Sequence, residues 1–238
     1  MIRDYQQMRV LCGPEDEDMM RVNILANESE QQRLLRLLQS MRMLNENQDS
    51  EKLAHRSLLI EIMSMHLFAP FEQIEIAAGR EGHDEAKTAY LSAQSWSHRC
   101  QARQAVWNAG QAVRYLREIL SAQFTAFHAV LAYQASLCLW MYGTITAQCP
   151  PDDGPSSASA RCFLDTDEIV KSQQWVNLNR GIPAIYKVVS DQATSQGTQI
   201  PLSSTREVMM CLRELLQYKV SEHGTNALTS AVDRNYVN

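Results

Sequence analysis

The sequence predicts an all-α fold, a multi-helical domain packed around one central buried helix with no significant sheet. Three observations carry this. Apolar residues recur at spacings of three and four along most of the chain. Nearly every position from Ala126 to Tyr142 is apolar or small, which on a helix means burial on all sides. No stretch alternates strongly enough between apolar and polar residues to argue for strands.

The elements follow in order. Residues 1–28 read as an acidic, partly flexible leader, with Glu15-Asp16-Glu17-Asp18 running into Met19-Met20 and then Ile24-Leu25. Such a segment is either a solvated leader with a short helix or an activation-type stretch that folds on a partner. Ser29 and Gln32 make a capping box, and Leu34, Leu37, Leu38, Met41 and Leu44 then share one face of a first helix. A second helix follows the Asp49-Ser50 cap, turns Leu53, Leu58, Leu59, Ile62 and Met65 or His66 inward, and ends before Pro70, completing a helical hairpin. A short helix from Phe71 to Ala78 closes at Gly79, and Asp84-Glu85 open another that runs to about Trp96. The next extends from about Gln101 to Leu120 and buries Ala102, Ala105, Val106, Ala109, Val113, Leu116 and Leu120.

The central helix comes next. His128 within it reads as a hydrogen-bonded core histidine, and Trp140, Met141 and Tyr142 as packing. Residues 148–162 form a Pro/Ser-rich loop, the best internal break and the expected first site of proteolysis. Asp165 or Thr166 caps a helix to about Asn179 that stops at Gly181 and Pro183, and a second capping box, Ser204 with Glu207, opens a last helix burying Val208, Cys211, Leu212 and Leu215. The organisation is therefore a helical core over 29–147, closing helices of the same domain over 163–220, and a polar tail over 221–238.

Composition narrows the function. A chain of 238 residues with 45% hydrophobic and 21% charged residues can bury a sizeable core. Net charge is −5, and Lys52, Lys87, Lys171, Lys187 and Lys219 are scattered, so no concentrated basic patch supports autonomous DNA binding. No secretory signal opens the chain, no run of Lys or Arg reads as an import signal, and His128, Gln134 and Ser136 interrupt the apolar segment from Phe124 to Ile145, making it a buried helix rather than a membrane span. Cys12, Cys100, Cys138, Cys149, Cys162 and Cys211 form no Cys-x2-4-Cys pair and lack a following His-x3-5-His, so sequence-local ligands build no zinc site. The irregular spacing fits reduced thiols, with Cys138 and Cys211 in the core. No Gly-x-Ser-x-Gly, phosphate loop or His-Glu-x-x-His occurs. Asp152-Asp153 resembles half of the acidic motif of helical prenyl-transfer enzymes, but the third aspartate is replaced by Ser156.

One stripe is a candidate site. Arg99, Arg103, Trp107, Gly110, Arg114 and Arg117 line up beside the apolar face of their helix, with Arg103 and Trp107 placed to meet. Arg99, Arg103, Trp107, Arg114 and Arg117 form either a basic groove for an acidic partner helix or an anionic effector, or a set of arginines paired with neighbours such as Asp84, Glu85 or Glu118. In the second case Trp107 and Gly110 allow another helix to approach closely.

An ordered set of motifs adds a family. Ala102-Arg103-Gln104-Ala105-Val106-Trp107, Gly110-Gln111, and Phe127 through Ala135 to Leu139-Trp140-Met141-Tyr142-Gly143 resemble the C-terminal half of the regulatory domain of fungal zinc-finger transcription factors, especially the two-Cys, two-His type. Ala69-Pro70 with Ala77 to Gly82, Phe163-Leu164-Asp165, and Gly181-Ile182-Pro183 resemble further elements of that domain. The resemblance covers roughly residues 55–220. It implies an all-helical regulatory and protein-interaction region, nuclear placement, coregulator or self-association partners, and a possible small-molecule effector, which would use an apolar pocket near Trp107 and Trp140. It also implies DNA binding through separate zinc fingers, so that zinc enters only with upstream fingers and this chain itself needs no cofactor. On that reading the chain is a truncated product, a fragment or a stand-alone relative; the alternative function is a stand-alone helical adaptor that binds proteins and has lost the DNA-binding module, and after it an uncharacterised all-helical enzyme.

Overall fold

The structure, a computed structural model, describes residues 17–45, 50–148, 161–187 and 198–235. Eight helices and three short strands occur among them, so the fold is broadly all-α with one small sheet. Residues 1–16 of the leader, Asp49 of the expected cap and residues 149–160 of the Pro/Ser loop lie outside the described residues.

Helix α1 spans Glu17–Asn45 and α2 spans Ser50–Phe68. The first helix thus begins twelve residues before the capping box at Ser29. No Gly or Pro interrupts residues 17–29. Leu34 and Leu38 of α1 pack on Ile60 and Leu67 of α2, so the hairpin forms, while Leu37, Met41 and Leu44 remain about half exposed or more. Leu59, expected inside, is 37% exposed; Leu58, Ile62 and Met65 face the main core.

Helix α2 stops where Pro70 disfavours helical backbone at the preceding residue. Helix α3 (Phe71–Ala77) ends at Gly79, whose φ of +99° confirms the left-handed exit. Helix α4 covers His83–Ser97, with Asp84 and Glu85 in its first turn. Helix α5 (Cys100–Glu118) carries the expected apolar face fully buried, except that Leu120 lies past its end and is 60% exposed. Helix α6 (Ala126–Gln148) is the central helix. Ala135 to Gly143 is almost wholly buried, but its first turns expose Phe127, Val130 and Tyr133, so burial on all sides holds only for the second half. The largest helix–helix contact is α2 against α5, and α5 in turn packs on α6.

The expectation of no significant sheet holds, with one small sheet beside the helices. Strands β1 (Arg161–Phe163), β2 (Ile182–Tyr186) and β3 (Gln199–Pro201) form a three-stranded sheet, β1 parallel and β3 antiparallel to β2. Strands of three to five residues are too short to show a period, and Pro183 and Pro201 within them argued against pairing. Helix α7 (Ile169–Leu178) links β1 to β2. It starts after Glu168, so Asp165 does not cap it, and Asn179 at φ 55° ends it. Helix α8 (Thr205–Asn235) follows Ser204 and buries Val208, Cys211, Leu212 and Leu215 as expected. Its backbone continues through most of the segment read as a polar tail.

Candidate functional site

The arginine stripe of α5 is brought together by the fold, and most of it is answered by the chain itself. Arg103 is only 8% exposed and its Nε donates to the carbonyl of Val176 at 2.7 Å. That carbonyl lies in the last turn of α7, where unpaired acceptors and the negative dipole end favour a cation. Cys100 Sγ donates to the same oxygen at 3.3 Å. One turn on, Gly110 lets Leu164 approach so closely that a Cβ at position 110 would lie 2.4 Å from Leu164 Cβ and 2.6 Å from its carbonyl oxygen. Gln111 Nε2 then donates to the carbonyls of Leu164 and Thr166, each at 2.8 Å.

Arg114 pairs with Glu118 at 3.0 Å and with Asp167, and its guanidinium lies 5.2 Å from the ring centre of Tyr115. The cation–π contact on this helix is therefore Arg114 with Tyr115, not the expected Arg103 with Trp107; Trp107 packs half-buried against the core. Arg117 bridges the carboxylate of Asp165 and the carbonyl of Tyr186, the latter at 2.8 Å. The side chain of Asp165 is fully buried and its Oδ2 also accepts from Tyr186 N at 2.9 Å, while Oδ1 has no protein donor. Lys219 of α8 donates to the carbonyls of Arg117 and Ile119, closing the C-terminus of α5. Arg99 precedes the helix in extended backbone and is exposed, apart from this cluster.

Of the acidic partners expected, Glu118 alone serves; Asp84 and Glu85 sit on the first turn of α4. The partners that matter are Asp165, offered by the sequence as a helix cap, and Asp167, which carried no signal in the sequence. Their role depends on β1 docking beside α5, for which the only local signal is the small Gly110 on an otherwise well-filled helix. The same logic recurs at Gly143, where a Cβ would lie 2.2 Å from the carbonyl oxygen of Leu202. Two of the motifs therefore meet, Gly110-Gln111 against Leu164, and Arg117 of the stripe reaches Asp165 beside them; Pro183 of a third motif is in register with Cys162 of β1.

Other candidate chemistry is quiet. His128 Nδ1 accepts from the Thr125 amide at 3.0 Å, its ring lies 4.9 Å from that of His55, and burial with the His55 charge holds it below the usual histidine range. His66 contacts Gln134 at 3.2 Å and is likewise held down by burial. Burial pushes the thiols of Cys138 and Cys162 up to about 12 and about 11, away from nucleophilic chemistry. Among the described residues, no group of three or more His, Cys, Asp or Glu is placed to hold a metal ion, and no helix is long and apolar enough to cross a membrane. An open concavity of about 360 Å³ lies over α3 and α4, between Gln73, Ile76, Asp84 and Thr88; no residue of α5 or α6 lines it, so it is not the pocket expected beside Trp107 and Trp140.

In comparison with known proteins, the chain matches no family model, no curated protein and no solved structure.

Proposed function

We propose that this domain is the regulatory and protein-interaction region of a fungal transcription factor, acting in the nucleus through protein partners or self-association. DNA contact and zinc would come with a separate zinc-finger module, and a small-molecule effector is compatible with the reading. The single observation that carries the proposal is the convergence of the ordered motifs. Two of those motifs, far apart in sequence, meet in the fold: Gly110 lies against Leu164, and Gln111 donates to the Leu164 carbonyl. The electrostatics support a protein-binding rather than a DNA-binding role. Net charge is −5, and Arg103, Arg114 and Arg117 are taken up by Val176, Asp167, Asp165 and Tyr186, so these arginines of the α5 stripe are not offered to phosphate.

Fluorescence anisotropy on mixed-sequence duplexes, at low and then physiological salt, tests this. Silence at both is expected. Tight binding with a steep salt dependence would mean that the domain itself reads nucleic acid, and the proposal would fall. A stand-alone adaptor shares the DNA silence and differs by having no zinc fingers encoded in frame upstream.

A further inference from the structure

The hairpin of α1 and α2 is built differently from the rest of the molecule. The contacts of α1 fall chiefly on α2. Its buried leucines, Leu34 and Leu38, join Ile60 and Leu67 in a cluster distinct from the main core. The opposite side of α2 supplies Leu58, Ile62 and Met65 to that core, so α2 stays anchored whether or not α1 is in place. Two polar keys, both α1 side chains, fix how it lies, and the second, Arg42, also donates to Ser64 Oγ at 3.4 Å. Gln31 Nε2 donates to the Leu67 carbonyl at 2.9 Å, and Arg42 pairs with Glu61 at 2.8 Å. The second key is half filled. Glu61 is 7% exposed, yet among the described residues its Oε2 has no protein donor, and Arg42, itself 43% exposed, meets the carboxylate at Oε1.

We infer that the Ile60/Leu67 face of α2 is a helix-docking groove, that α1 is its displaceable resident, and that a partner protein's basic amphipathic helix takes its place. The occupant's chemistry follows from what α1 shows: two leucines four residues apart, then an arginine four residues on. An arginine presenting two parallel N–H groups to Glu61 would fill the key that Arg42 leaves open. Displacement costs little elsewhere, because among the described residues no α1 side chain belongs to the main core. The inference goes beyond the proposed function and holds whether or not the domain serves transcription, since its test involves no DNA.

The test uses the full chain and a fluorescent peptide copying residues 26–45. In the wild type the tethered α1 competes at high local concentration, so the peptide binds weakly. In the double variant Leu34→Asp/Leu38→Asp, α1 cannot dock, and the peptide should bind at least ten-fold more tightly. Adding Leu34→Asp/Leu38→Asp to the peptide should abolish binding. Hydrogen exchange on the same double variant should show loss of protection along α1 with α5 and α6 still protected. Equal peptide affinity for both chains, binding by the doubly substituted peptide, or loss of protection throughout α5 and α6 would each overturn the inference.

Discussion

Gly110→Ala is the substitution that probes the core of this architecture, because two general effects oppose each other there. Alanine favours a helix interior over glycine by about 1 kcal/mol. Against that, the new methyl would meet Leu164 Cβ at 2.4 Å, its carbonyl oxygen at 2.6 Å and its carbonyl carbon at 2.8 Å. Relief requires the β1 end to back away by about 1 Å, an overpacking strain of about 1–3 kcal/mol. The same shift stretches the two Gln111 hydrogen bonds to Leu164 and Thr166, each worth about 1 kcal/mol. The net expectation is destabilisation by about 1–4 kcal/mol, which at roughly 2–4 °C per kcal/mol for a domain of this size lowers Tm by several degrees. Denaturant titration and a thermal melt measure it. Leu164→Ala should not rescue the variant, because the colliding Cβ, carbonyl carbon and oxygen all persist in alanine. A Gly110→Ala protein as stable as the wild type, or rescue by Leu164→Ala, would refute the close-approach account.

Three further outcomes follow from the same contacts. Arg117→Ala should destabilise by about 3–5 kcal/mol, because it strands the fully buried Asp165 carboxylate with the Tyr186 amide as its remaining partner; Arg117→Lys should recover little, since the planar fork serves both Asp165 and the Tyr186 carbonyl. Burial raises the Glu61 carboxyl from 4.5 to about 7 despite the opposing charges of Arg42 and Arg114, so folding favours the protonated form and this contribution is lost as pH rises from about 4.5 through 7. Its size is about 3 kcal/mol by order of magnitude, and urea titrations should show Glu61→Gln gaining stability over wild type at pH 8 relative to pH 4. Native-state alkylation mapped by peptide mass should label Cys100, which is exposed, well before Cys138, Cys162 and Cys211, which are buried.

Much of the helical framework is visible in the sequence because helices announce themselves locally. The apolar face of α5, the exit at Gly79, and the buried face of α8 after Ser204 were all written in spacings of three and four and in a few cap residues. Two kinds of error have physical causes. A capping box is permissive rather than compulsory, so Ser29 and Gln32 sit inside α1 where the flanking residues also favour helix. Asp165 has the chemistry of a cap, but a half-buried arginine and a strand amide hold it away from the start of α7. The small sheet was invisible because its pairing is non-local, joining residues 161–163, 182–186 and 199–201 through backbone groups that carry no side-chain period. The stripe of α5 was identified residue by residue, but not what fills it. Whether a cation on a helix faces solvent or a carboxylate fifty residues away depends on tertiary contact, and only Arg99 stays exposed outside the cluster.

The central claim is regulatory, and the most direct measurement is transcription from a reporter promoter in fungal cells, with this chain fused to a heterologous DNA-binding module as the promoter's sole bound factor. A regulatory domain gives output that differs from that of the module alone, in either direction, and that moves back toward the module's level with Arg117→Ala, which destabilises the fold by about 3–5 kcal/mol. Output indistinguishable from the module alone, with the fusion folded and occupying the promoter, would contradict it.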